Sequence, residues 1–261
     1  MITSKSNPQL KYLQTLLKKR SAREADRVFI CEGRKMFFEI LTQRPESLVK
    51  AYWSESSVAE LADAERAMML TCDWETVSDA AFCAVAETVT PQGVIAIVRM
   101  PRYSIEDMIA GETTKLLLLE SLRDPGNLGT IMRTAEAAGM NGIILSSDSV
   151  DVFNPKVVRS TMGAILRVPF CYVEDFPKAM ENLKERGVTL YAAHLQGSVP
   201  YTEASYGSRA GILIGNEANG LSDGVTALSD VRIRIPMDGQ AESLNAAVAA
   251  AILMYHLRTK Q

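Results

Sequence analysis

Residues 232–255, RIRIPMDGQAESLNAAVAAAILMY, decide how the chain is read. The stretch opens inside a short strand of alternating character, 231–235, which Pro236 ends because proline has no N–H to give a ladder. A polar, glycine-containing loop follows over 238–242, and Ser243 is placed to cap a helix through its hydroxyl. From Leu244 to Leu257 the chain is apolar nearly all round, with Asn245 and His256 as the interruptions. An amphipathic surface helix would carry one apolar stripe, so this helix is expected to be buried on more than one side. Its alanines at 246, 247, 249, 250 and 251 allow a neighbour to come close. The polar loop therefore stands on a fixed support, a suitable place to hold a ligand through backbone groups.

Outward from this stretch, the whole chain sets bounds. With 261 residues there is room for one large domain or two smaller ones, and 47% hydrophobic with 23% charged residues is ordinary globular composition. A net charge of -3 argues against a protein that coats nucleic acid over its entire surface. The charge is uneven, however. Lys5, Lys11, Lys18, Lys19, Arg20, Arg23, Arg27, Arg34 and Lys35 face only Glu24, Asp26 and Glu32 in the first 35 residues. A basic end on an acidic chain is an electrostatic footprint for a polyanion. Cys31, Cys72, Cys83 and Cys171 form no CxxC pair, and with His194 and His256 they make no zinc spacing, so no metal is expected. Scattered thiols point to a reducing, cytoplasmic setting. No signal peptide and no apolar run of membrane-spanning length is read, so no membrane partner is expected.

Taken in order, the first hundred residues alternate strand and helix: strands at 28–31, 48–53 and 93–98, helices before, between and after the first two. The run GVIAIV at 93–98 is continuous, the mark of a strand covered on both faces. This predicts a small α/β domain over 1–100, then a linker over 101–114 carrying Pro101, Arg102 and Gly111. The second half, 115–261, reads as strands at 115–120, 142–146, 168–173, 188–193 and 211–214, spaced by helices, which implies βαβ units and a mostly parallel sheet. No GxGxxG follows its first strand, so the usual dinucleotide fingerprint is absent.

In this half the chemistry-bearing residues sit at strand ends in three segments. The first is NLGTIMRTAEAAG, 127–139, with Asn127 and Arg133. The second is GNEANG, 215–220, directly after a strand and containing Glu217. The third is Ile235-Pro236-Met237, followed by Ser243-Leu244-Asn245. Singly each is weak, since Asn127 and Ser243 make adequate helix caps and Glu217 an adequate loop charge. Their order, spacing and attachment to strand ends carry the signal.

Together the three segments resemble the SpoU (TrmH-like) family of RNA ribose 2′-O-methyltransferases, within the SPOUT superfamily, over roughly residue 115 to the C-terminus. The first hundred residues, through FICEGRKMFFEIL and GVIAIV, are similar to the small α/β RNA-binding domain that many of these enzymes carry. The resemblance implies a C-terminal trefoil knot, which bottom-up reasoning would have rejected. It implies S-adenosylmethionine as cofactor, with Gly215, Ile235 and Leu244 as contacts and Met237 and Gly197 beside them. It also implies a homodimer, and an RNA substrate, with ribosomal RNA favoured and transfer RNA possible.

For the reaction, attack of a ribose 2′-hydroxyl on an activated methyl, the implied catalytic set is Asn127, Arg133, Glu217, Ser243 and Asn245. Guanidinium stays protonated in proteins, so a role for Arg133 in holding phosphate and developing alkoxide fits its chemistry better than proton abstraction. In that reading Asn127, Ser243 and Asn245 orient Arg133 and the ribose, and Glu217 either fixes Arg133 or holds a proton relay. Gly215 is read as giving the backbone close access to a ligand. The competing reading from another class is a non-catalytic ribosome-assembly factor of the same fold. The intact motif residues count against it.

Overall fold

The computed structural model describes residues 1–86, 91–196 and 198–259, and these form two compact units. Unit 1 comprises Met1–Pro101 and Asp151–Leu166; unit 2 comprises Arg102–Val150 and Arg167–Gln261.

Unit 1 begins with helices α1 (Pro8–Lys18) and α2 (Arg20–Asp26). Asn7 caps the first through its side chain, with Pro8 at the first helical position where its missing N–H costs nothing. Leu10, Leu13, Leu16 and Leu17 form its buried stripe. Next come β1 (Val28–Glu32), α3 (Arg34–Gln43), β2 (Leu48–Ser54), α4 (Glu55–Ala59), α5 (Asp63–Met69), β3 (Trp74–Val77), α6 (Asp79–Cys83) and β4 (Val94–Arg99). The four-stranded sheet has the order β1-β4-β2-β3. Its inner strand β4 carries the run 94–98, buried throughout, as a strand covered on both faces should be. The strand Trp74–Val77 was missed in the sequence because its WETV lacks a run of apolar residues. The apolar spacing predicts one helix over 58–69; the chain forms two short helices there, separated at 60–62.

In unit 2 the chain continues with α7 (Ile105–Met108), β5 (Thr114–Leu119), α8 (Pro125–Ala138) and β6 (Gly142–Ser146). It then returns to unit 1 for 151–166, which contains α9 (Pro155–Ser160). Back in unit 2 it forms β7 (Phe170–Val173), α10 (Phe176–Glu185), β8 (Thr189–Ala193), β9 (Val199–Pro200), β10 (Arg209–Ile214), α11 (Asp223–Leu228), β11 (Val231–Arg234) and α12 (Ala246–Thr259). The seven strands lie in the order β7-β6-β5-β10-β8-β11-β9, and every neighbouring pair is parallel. Leu116–Leu119 and Ile212–Leu213 are fully buried, the signature of strands covered on both faces.

Two boundaries differ from the sequence reading. The segment 101–114 is no bare linker: Met108 and Ile109 are in the unit 2 core, and Met108 lies over Gly142 where a Cβ would collide with it. The domains are also not contiguous in sequence, because 151–166 packs with unit 1. A buried ion pair anchors that segment. Arg23, 3% exposed, reaches Asp151 Oδ2 at 2.6 Å while donating to the carbonyl of Leu16, also at 2.6 Å. Breaking such a pair leaves an uncompensated buried charge. Arg23 is therefore a structural residue, and Arg34 and Arg20 are engaged by Glu65 and Glu24. The basic footprint of the first 35 residues is correspondingly smaller than the sequence implied.

Candidate active site

A cleft of about 800 Å³ opens beyond the carboxyl ends of β8, β10 and β11, its wall starting at Ala193, Ile214 and Ile233. Parallel α/β sheets place ligands there because the loops leaving neighbouring strands converge. The loop after β10 closes on itself: Asn216 and Gly220 exchange backbone hydrogen bonds of 3.0 and 2.9 Å. Gly215 is needed for this closure, since a Cβ on it would collide with the backbone of Gly220 and Leu221. The loop itself thus demands glycine at this position, before any ligand is considered.

Gly215, Glu217, Ile235, Met237, Ser243, Leu244 and Asn245 all line this cleft. Gly197 lies outside the described residues, although the loop just before it, His194 to Gln196, lines the same wall. Asn219, Asp223, Arg234 and Glu242 line it too. Sequence reasoning missed these because each is an unremarkable polar loop residue. Their only signal was adjacency to the strand ends.

The three sequence segments meet through one chain of hydrogen bonds. Asp124, not Asn127, caps α8, accepting from Asn127 N at 2.7 Å. That leaves the Asn127 side chain available: its amide donates to Glu217 Oε1 at 3.1 Å, and its Oδ1 accepts from Asn245 Nδ2 at 2.9 Å. Asn245 in turn caps α12, Oδ1 accepting from Ala247 N at 2.9 Å and Val248 N at 3.3 Å. The helix expected from Leu244 thus begins two residues later, and Ser243 stands exposed in the loop. Both amide orientations follow from chemistry. A carboxylate only accepts and helix-start N–H groups only donate, so each asparagine can face its partners in one way.

Glu217 also accepts from the backbone N–H of Asp124 at 2.9 Å and of Arg123 at 3.1 Å. Partial burial alone would raise its pKa, but these bonds and that from Asn127 outweigh it and hold the carboxyl below the usual range. A lowered folded pKa contributes stability above the unfolded value and loses it as pH falls through the folded one. Glu217→Gln is accordingly expected to lower the denaturant midpoint near neutrality, the gap from wild type closing as pH falls from about 6 to about 3. A gap that stays constant with pH would show that the charge has no part in holding α8.

Arg133 is placed differently. It stands exposed on α8, outside the cleft lining, and makes no hydrogen bond or ion pair to a described residue. Glu217, Asn127 and Asn245 are engaged with one another and with backbone groups, not with Arg133. Glu136, one turn on, is held by Arg167.

A family profile described as the SpoU rRNA Methylase family matches residues 115–255. The chain belongs to the SpoU rRNA methylase family. It is thus a methyltransferase that acts on RNA. A second profile, the MRM3-like substrate binding domain, matches 7–96. Among curated relatives, the 23S rRNA (guanosine(2553)-2′-O)-methyltransferase RlmP of Bacillus subtilis is 35% identical over 98% of both chains. Among solved structures, AviRb of Streptomyces viridochromogenes, a SpoU methyltransferase in complex with AdoMet, is 27% identical, covers 97% of both chains and superposes with a TM-score of 0.86. An AdoMet-bound rRNA methyltransferase of Sinorhizobium meliloti is 32% identical, with 99% of this chain and 97% of that one covered and a TM-score of 0.82. In this SpoU methylase no described helix is long and apolar enough to cross a membrane.

Proposed function

We propose that this SpoU methylase transfers a methyl group from S-adenosylmethionine to a ribose 2′-hydroxyl of large-subunit ribosomal RNA, in the cytoplasm, as a knotted homodimer. The observation that carries the reading is the bonded set Glu217–Asn127–Asn245, which joins the motifs at the mouth of one cleft. The cleft fits the cofactor: about 800 Å³ suits a ligand of that size, and Ile235, Met237 and Leu244 offer apolar wall beside polar loop groups. When bound, S-adenosylmethionine supplies an already activated methyl group.

The chain's own tasks are alignment and the handling of one proton. Glu217 and Asn127 fix the start of α8, and hence the helix that presents Arg133. Arg133 holds a phosphate beside the target ribose and stabilises the oxyanion as the hydroxyl gives its proton to solvent water. The exposed hydroxyl of Ser243 is free to meet the ribose. The names of the relatives support ribosomal over transfer RNA. Mapping 2′-O-methyl positions in ribosomal and transfer RNA from cells with and without the protein tests the target. Loss of a site in transfer RNA alone would overturn the choice.

A dimer reconciles Arg133 with the cleft it does not line. On α12 one side is buried, Ala246, Ala247, Ala250, Leu253, Met254 and Leu257, where the apolar sequence predicts burial on more than one side. Val248 and Tyr255 are 48% and 43% exposed, and with half-buried Ile252 they form an apolar stripe at helical spacing. A second copy covers this stripe and takes Arg133 to the partner's cleft. Ile252→Asp is expected to yield monomers by light scattering with activity lost. Mixing inactive Arg133→Ala with a cleft-blocking Leu244→Glu chain is expected to restore about a quarter of wild-type turnover, one working site in every second dimer. No recovery on mixing, with mixed dimers verified, would place Arg133 in its own chain's site.

A further inference from the structure

Four consecutive backbone N–H groups, those of 121–124, follow the end of β5, and each donates to a side chain. Arg123 N and Asp124 N go to Glu217, as described above. Ser121 N goes to Ser146 Oγ at 2.8 Å and Leu122 N to Ser149 Oγ at 3.2 Å. The loop that starts α8 is thus held from two sides, by Glu217 and by a pair of serines beyond the end of β6 or at it.

One carboxylate sets the serine pair. Ser146 Oγ stands 2.6 Å from Asp148 Oδ1 and 3.0 Å from Ser149 Oγ. A hydroxyl has one proton and a carboxylate only accepts, so Ser146 donates to Asp148 and Ser149 donates to Ser146. Both hydroxyls then keep lone pairs for the N–H groups of 121 and 122. Asp148 Oδ2 takes two further donors, Ser121 Oγ at 2.6 Å and Arg123 Nη2 at 2.7 Å. Burial works against the charged form, but the bonds from Ser121 and then Ser146 outweigh it and hold the carboxyl below its usual range.

Ser121 makes the bend. Its φ of +53° is left-handed, a state uncommon for serine. All three of its polar groups are tied: the N–H to Ser146, the hydroxyl to Asp148, and the carbonyl to Asn216 Nδ2 at 2.8 Å. An unfavourable backbone state persists where its surroundings over-determine it. The turn at 121 fixes where the N–H groups of 123 and 124 point, and those meet Glu217. We propose that Asp148 is a positioning residue for methyl transfer: by holding Ser121 left-handed it aims Arg123 N and Asp124 N at Glu217, and so keeps Glu217, Asn127 and Asn245 in register at the cleft mouth. Asp148 itself lies outside the cleft lining and acts through these residues. The proposal rests on the catalytic reading of that set given above.

The test uses the full chain carrying Asp148→Ala. Its kcat is expected to fall at least about tenfold, because small misplacements of catalytic groups are costly. KM for ribosomal RNA and S-adenosylmethionine affinity stay within about twofold of wild type, a split that a general loss of structure would not give. The cofactor side is spared because the loop after β10 closes through its own Asn216–Gly220 bonds. A second readout needs no turnover. Carbon NMR titration of the Glu217 carboxyl shows its pKa raised toward the usual range, since the bonds from Asp124 N and Arg123 N are loosened. Adding Ser121→Gly to Asp148→Ala restores both kcat and the Glu217 titration, because glycine takes φ +53° with nothing to hold it there. Removing a second side chain would not mend a merely structural defect. Asp148→Asn, equal in size but with one acceptor oxygen for three donors, gives the same changes and stands in should the alanine variant fold poorly. An unmoved Glu217 titration, or a kcat loss that Ser121→Gly leaves in place, overturns the proposal. A displaced titration with unchanged kcat overturns instead the catalytic reading of the set, and a wild-type chain that methylates no RNA overturns the function beneath it.

Discussion

Arg133→Ala and Arg133→Lys both lower turnover by at least about two to three orders of magnitude, the scale seen when an electrostatic donor is removed from an active site. Cofactor affinity barely changes, because the cleft is lined by the loops after β8, β10 and β11 and Arg133 lies outside it. Lysine discriminates between roles. If Arg133 were merely a positive charge near a phosphate, lysine would retain much of the activity, since it also binds phosphate as a point charge. A planar fork that spans a phosphate oxygen and the reacting oxygen has no counterpart in an ammonium, so lysine fails almost as badly as alanine. The surroundings of Arg133 favour the second account. It has no carboxylate partner among the described residues, so its donors remain available to an RNA oxyanion. Single-turnover rates against pH make the sharper measurement. A guanidine acting as base would make the chemical step climb with pH to a plateau, and lysine would move the inflection while keeping the rate. Near-full activity of Arg133→Lys with such a displaced inflection would establish the base and remove the electrostatic role.

The parallel sheet of unit 2 was legible in the sequence because continuous apolar runs such as Leu116–Leu119 belong to strands buried on both faces. That Gly215 and Ile235 line the cleft was legible for a related reason: each sits one position past a strand end, where a parallel sheet collects its loops. Caps were less legible. Asp124, Asn127, Ser243 and Asn245 are all good cap residues by type, and only the fold decides which pair does the work. Asn127 and Asn245, freed or placed by that decision, became the link between helices. Residues 151–166 were beyond reading, because nothing local tells a helix in the catalytic half that its packing partners lie about 130 positions earlier. The Arg23–Asp151 pair has a practical consequence. A chain cut near Arg102 would lose the partner of Asp151, so truncation is a poor way to separate RNA affinity from cofactor affinity.

Gly215→Ala is expected to abolish measurable cofactor binding, a loss of at least about a hundredfold, and to cost about 3 kcal/mol of stability, the upper range for overpacking. The added methyl has nowhere to go: Gly220 and Leu221 occupy its place with backbone atoms, which cannot swing aside as a long side chain can. Relief requires the loop to open, breaking the paired bonds of Asn216 and Gly220. Asn216 also ties the loop to β5's end, donating to the Ser121 carbonyl at 2.8 Å. Glu217 is the next residue, so its three bonds to the start of α8 loosen with it. Gly224 supplies the control. It lies in α11, nothing stands within 4 Å of its missing Cβ, and alanine there should raise the melting temperature slightly, as Gly→Ala does in an open helical position. Calorimetry with S-adenosylmethionine and thermal melts on both variants make the comparison. Gly215→Ala binding within about threefold of wild type would show that the loop can open without cost to the cofactor, and the steric account of this glycine would fall.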